Sequence, residues 1–186
     1  YIFTIIINDM KIGLLREGKN PPDKRVPFSP NQCREILQKY TQIIIYIQPS
    51  SVRCFPDVDY QESGVILTED LSMCDVIMGV KEVPISMLVS KKIFFFFSHT
   101  IKEQPYNRFL LKEILKQHIQ LVDYETLTTE NKKRIIGFGK YAGIVGCYNA
   151  FLTYGKKSNK FILKPPQNLK DKQELYKELQ KIILPK

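Results

Sequence analysis

The chain has 186 residues, of which 44% are hydrophobic, 25% charged and 11% aromatic. That balance excludes a disordered or collagen-like polymer and is long enough to bury one full core. The 28 Lys and Arg against 19 Asp and Glu give a net charge of +9, which favours anionic partners but does not choose among nucleotides, carboxylates, RNA and anionic lipid. In chain order, strands are predicted over 2–7 and 11–15 from apolar, β-branched runs, followed by a charged loop over 16–26. Ser29 then caps a helix with Pro30 at its first position and Cys33, Ile36, Leu37 and Tyr40 along one stripe. Further strands are predicted over 42–47, 65–67, 75–80 and 93–98. A helix from 105 to 118 buries Phe109, Leu110, Ile114 and Leu115, and a last strand covers 120–124. The small-residue segment 137–146 opens an apolar helix running to Tyr154, where small side chains are expected to allow close helix packing. A Pro-broken connector then leads to a charged helix over 171–183.

Strands that are apolar on both faces and alternate with helices predict an α/β fold, a Rossmann-like or flavodoxin-like mostly parallel sheet flanked by helices, with a C-terminal helical extension. A domain over 1–158 and an appendage over 159–186 are expected. Ligand-handling groups in such sheets lie on loops after the carboxyl ends of strands. The loops in question are 16–26, 81–84, 99–104 and 124–134. The four cysteines lack CxxC or zinc-type spacing and read as free thiols in a reducing compartment, with no metal expected. No run approaches the roughly 18 apolar residues of a membrane span, and the first nine residues lack the basic lead of a secretory signal.

Several groups on these loops carry chemistry. The run from Arg16 to Arg25 can grip a carboxylate through an Arg fork, although charge runs more often form a solvated surface. Lys81, at the end of an apolar strand, suits proton transfer if partly desolvated, and otherwise snorkels to water. His99 ends the run FFFFSHT, where imidazole matches proton transfer near neutral pH; position alone leaves a structural role equally open. His118, at a helix end, reads as a complement to the helix dipole. The segment GFGKYAG at 137–143 imitates a dinucleotide fingerprint, but its GxGxxxG spacing and the absence of an acid near 160 argue against one.

The motifs KIGLLREGKNPPDKRVPFSP at 11–30, IYIQPSSVRCFPDVDY at 45–60, LTEDLS at 67–72 and DVIMGVKEVP at 75–84 continue with FFFSHTIKEQPYN at 95–107, LLKEILKQHIQLVDYE at 110–125 and RIIGFGKYAG at 134–143. Together they resemble the N-terminal domain of the alanine dehydrogenase and pyridine-nucleotide transhydrogenase superfamily, and within it the lysine-ketoglutarate reductase (saccharopine dehydrogenase) family. The resemblance implies a substrate domain for the reductive condensation of L-lysine with 2-oxoglutarate to saccharopine. It places proton transfer on Lys81 and His99, and substrate binding on Arg25 with Asp23 before it. Glu82, Lys102 and Glu125 fall at charged site positions, and Arg134 at one near the cofactor phosphates. The cofactor implied is NADP or NAD, held mainly by a dinucleotide-binding domain or polypeptide outside this chain. The compartment implied is the mitochondrial matrix in preference to the cytosol. A second reading stays open: a catalytically degenerate accessory subunit of a larger assembly that keeps the fold. RNA binding rests on charge alone, and no DNA partner is expected.

Overall fold

The computed structural model describes residues 9–18 and 23–182. The strand predicted over 2–7 and the last residue of the helix predicted over 171–183 lie outside the described residues. Six strands, β1 (Met10–Leu14), β2 (Ile43–Ile47), β3 (Ile66–Leu67), β4 (Val76–Met78), β5 (Ile93–Phe96) and β6 (Gln120–Asp123), form one sheet in the order β3-β2-β1-β4-β5-β6. Every pairing is parallel. This is the doubly wound Rossmann order, in which the chain turns back on itself between the two central strands, β1 and β4.

Helix α1 (Pro30–Lys39) joins β1 to β2, α2 (Asp57–Glu62) joins β2 to β3, and α3 (Arg108–Lys116) joins β5 to β6. The start of α1 is a full capping box: the Ser29 hydroxyl accepts from Gln32 N–H and the Gln32 side chain accepts from Ser29 N–H. Alternation along the strands divides the core between the two faces of the sheet. Leu14, Ile45 and Ile47 pack with Cys33, Tyr60 and Val65, whereas Ile77, Phe94 and Phe96 pack with Leu71, Cys74, Leu110 and Ile114. The segment from β3 to β4 passes close over β1, so a side chain at Gly13 would stand 3.0 Å from Cys74 Sγ and 3.1 Å from Leu71.

Three sequence expectations need correction. Helix α2 was absent from the predicted pattern; it is a six-residue helix whose one buried side chain is Tyr60, too short to show a period. Residues 105–107 form a 3-10 turn before α3, and only Leu110 and Ile114 of its expected stripe are buried, while Phe109 and Leu115 stay 71% and 67% exposed. The glycines at 137, 139, 143 and 146 have, apart from their chain neighbours and their own helix backbone, nothing within 4 Å of a would-be side chain, so among the described residues of 137–186 they mark no close helix packing.

The chain divides into two compact units, 1–136 and 137–186. In the second, α4 (Gly139–Ser158) and α5 (Lys172–Leu179) share a core of Tyr148, Leu163 and Leu175. Tyr148 donates to Lys164 O at 2.7 Å, and Gly155 leaves room for Phe161 O, which lies 2.5 Å from its absent Cβ. Asp171 caps α5 by accepting from Glu174 N–H. The expected boundary at 158 falls inside the second unit, at the end of α4. No described helix is long and apolar enough to cross a membrane.

Candidate functional site

The loops after β1, β4, β5 and β6 all leave the carboxyl edge of the sheet, where strand order reverses. Beyond β4 and β5 the ladder runs on, with Gly79 N–H donating to Phe95 O at 2.9 Å and Phe97 N–H to Val80 O at 3.1 Å. Lys81 and Glu82 therefore emerge beside Ser98 and His99. These residues are hydrophobic up to the strand end and polar at once beyond it, which is why the chemistry gathers there.

His99 is held in the left-handed region, φ 55° and ψ 12°, a conformation that costs a non-glycine residue about 1–2 kcal/mol. Its carbonyl accepts from Lys102 N–H at 3.1 Å and from Asn107 Nδ2 at 3.2 Å. Its ring stacks on Phe97 at a centroid distance of 6.2 Å. Nδ1 lies 2.9 Å from Glu125 Oε2, and Nε2 lies 3.8 Å from Glu82 Oε1. Lys102 Nζ also lies 3.2 Å from Nδ1, so a carboxylate and an ammonium share that nitrogen, while Nε2 points toward Glu82.

Glu125 is the hub of this half of the site. Its side chain is 3% exposed and also meets Lys102 Nζ at 3.3 Å and Arg134 at 2.9 Å. Burial raises its pKa, but the hydrogen bonds and charges of His99 and Lys102 outweigh this and hold the carboxyl below its usual range. Asp123 supports it from beneath: Oδ1 accepts from Glu125 N–H at 2.8 Å, and Oδ2 accepts from the fully buried Ser98 hydroxyl.

The other half comes from the loops after β1 and β4. Arg25 pairs with Asp23 through its guanidinium and its backbone N–H. The Arg25 hydrogen bond holds the Asp23 carboxyl below the ordinary carboxylate range, against a smaller effect of burial, and the charge of Lys81 adds to the lowering. Cys54 N–H donates to Lys24 O at 2.8 Å, tying the loop after β2 to the backbone between Asp23 and Arg25. Arg16, by contrast, turns outward to Glu69 at 2.8 Å. His118 lies away from this edge, at the far end of α3.

Of the eight predicted residues, Glu82, His99, Lys102, Glu125 and Arg134 meet in one contact network, and Asp23, Arg25 and Lys81 are coupled by charge beside it. Sequence reasoning missed Glu17, Ser98, Asn107 and Asp123 as site components. Asp123 and Ser98 carried a usable signal, since each is a polar residue directly after an apolar run, Leu121–Val122 and the four phenylalanines 94–97.

Among the described residues no group of three or more His, Cys, Asp or Glu side chains is placed to hold a metal ion. The residues also do not fit a dinucleotide cradle. The glycines of 137–146 follow no strand: β6 ends at Asp123, and helix α4 has already begun at Gly139. Arg134, expected near cofactor phosphates, is engaged by Glu125.

A doubly wound α/β domain with acid–base groups gathered at its switch point defines the class. The sequence matches the family described as "Alanine dehydrogenase/PNT, N-terminal domain" over residues 13–145, and the chain belongs to that family. It is 41% identical over 138 residues to mitochondrial alpha-aminoadipic semialdehyde synthase of Mus musculus, covering 74% of this chain and 15% of the relative. It is 26% identical over 137 residues to a saccharopine dehydrogenase [NAD(+), L-lysine-forming] of Yarrowia lipolytica, covering 71% of this chain and 37% of the relative. The chain thus spans a minor part of either relative's length. The fold is shared with a solved L-alanine dehydrogenase, with a TM-score of 0.64 at 18% identity over 81% of this chain and 42% of that one.

Proposed function

We propose that this chain is the substrate domain of a lysine-ketoglutarate reductase, carrying the acid–base half of the condensation of L-lysine with 2-oxoglutarate to saccharopine. The observation that carries this reading is the His99–Glu125 contact of 2.9 Å at the strand end adjoining the one that carries Lys81. When the lysine ε-amine adds to the keto carbon, the nitrogen loses a proton and the oxygen gains one. When the carbinolamine collapses to the imine, a second proton leaves with the hydroxyl as water. One group that gives and one that takes are required. His99 serves through Nε2, with Glu125 holding Nδ1, and Lys81 is its counterpart across the β4–β5 edge. Arg25, braced by Asp23, grips a substrate carboxylate, while Glu82 and Lys102 set the charge around the imidazole. Arg134 fixes Glu125.

The reduced cofactor, NADPH or NADH, supplies the hydride and is held outside these residues. The mitochondrial relative supports a matrix location.

The test uses the complete native polypeptide. Oxidation of NADPH or NADH is followed with lysine and 2-oxoglutarate together and singly. Turnover requiring both substrates is expected, with Lys81→Met and His99→Asn each lowering kcat by about 10²–10⁴-fold while folding is retained. A folded wild type without turnover on either cofactor rejects the reading in favour of a degenerate accessory subunit.

A further inference from the structure

Beyond the residues already assigned, Glu17 reaches across the switch point to the backbone of the loop after β4. β1 ends at Leu14, and Leu15 N–H still pairs with Met78 O at 2.9 Å. Two residues on, the Glu17 carboxylate accepts from Val80 N–H at 2.7 Å and from Lys81 N–H at 2.9 Å, one amide on each oxygen. The preceding amide, Gly79 N–H, is spent on Phe95 O, so Glu17 takes over where the sheet stops supplying acceptors. Two consecutive amides aimed at the two oxygens of one carboxylate make a charge-assisted pair, stronger than neutral bonds and specific to the ionised form. Burial pushes this carboxyl up, and the two amides offset that only in part, so it stays above the usual carboxylate range.

The next residue makes an independent contact with the same loop. A side chain on Gly18 would stand 2.5 Å from Pro84 Cγ and 3.3 Å from Met87 Sδ. Glu17 and Gly18 therefore hold the turn 80–84 at both ends, with Lys81 and Glu82 between them. Glu82 is the residue whose carboxylate lies 3.8 Å from His99 Nε2. Asp23 and Arg25 act on Glu17 through their charges, so the arginine loop belongs to the same cluster.

We infer that Glu17 is a positioning residue: its carboxylate fixes the backbone of Lys81 and so sets Lys81 and Glu82 in register with His99. The kinetic consequence rests on the function proposed above, whereas the latch itself does not. Glu17→Gln keeps the shape but presents an amide N–H where one backbone N–H now finds an acceptor; Glu17→Asp keeps the charge but shortens the reach and serves as the second variant.

In the complete native polypeptide, hydrogen exchange at the Val80 and Lys81 amides is expected to quicken by about tenfold or more in Glu17→Gln, with Gly79 as the unchanged internal control. The His99 ring proton NMR signals are expected to move. In the active enzyme kcat should fall by about 10²-fold with little change in either KM, the signature of misplacement and not of lost binding, and Glu17→Asp should lie between. Unchanged exchange at the two amides overturns the latch, and faster exchange with unmoved His99 signals or an undiminished kcat overturns the positioning role. If the wild type shows no turnover, the proposed function falls, while the latch is still decided by exchange and by the His99 signals.

Discussion

At His99 the backbone and the ring are constrained by different neighbours, and Glu125 is common to most of what surrounds the ring. A buried carboxylate with Lys102, Arg134 and the His99 imidazole around it has its folded-state pKa below its unfolded value of about 4.3, and Asp23 beside Arg25 is likewise lowered. The stability each contributes is then fully present above the unfolded pKa and is lost as pH falls through the lower folded value. Glu125→Gln is expected to lower the unfolding free energy by about 1–2 kcal/mol at pH 7, measured by urea denaturation, and to converge on the wild type in acid once the folded-state carboxyl is protonated. A deficit that persists unchanged into acid would mean that packing, and not charge, is what Glu125 provides. His99 and Glu125 were legible because motif positions named them. Glu17 was not, since a carboxylate in the charged run from Arg16 to Arg25 gives no sequence sign that its partners are two backbone amides 63 and 64 residues away.

Strands are the elements the sequence announces best here, because β2 and β5 are continuous apolar runs bounded by polar residues, IIIYI and IFFF. Helix α3 shows the limit of the same reasoning. Its apolar residues 109, 110, 114 and 115 satisfy a helical stripe, yet the helix turns only 110 and 114 inward, because a nine-residue helix laid on a sheet presents a narrow line of contact. Leu110→Ala should cost about 2–5 kcal/mol, whereas Phe109→Ser should stay within about 0.5 kcal/mol of wild type, both read from thermal or urea unfolding. Equal losses at the two positions would restore the broader stripe. Helix α2 was missed for the opposite reason: six residues offer less than two turns over which a period could show.

For the molecule as a whole, the alternation of strands and helices pointed to a mostly parallel sheet but left Rossmann-like and flavodoxin-like arrangements open, and the order β3-β2-β1-β4-β5-β6 is the Rossmann one. The division at 136/137 was less visible, because the helix that begins the second unit, α4, is apolar enough to read as part of the first. Within the first unit the sheet separates two apolar layers that meet only through its strands, and each layer contains one cysteine at 0% exposure, Cys33 in one and Cys74 in the other. Burial pushes both thiols up to about 11, whereas Cys54 and Cys147 are exposed. An alkylating reagent should therefore consume Cys54 and Cys147 at once and reach Cys33 and Cys74 only as fast as their surroundings come apart, as peptide mass mapping in mild denaturant would record. Immediate labelling of either sealed thiol would contradict the packing described. Unequal delays would reveal which side of the sheet loosens first, so that these two sulfur atoms, neither placed in the chemistry of the site, serve as native reporters of how the domain opens.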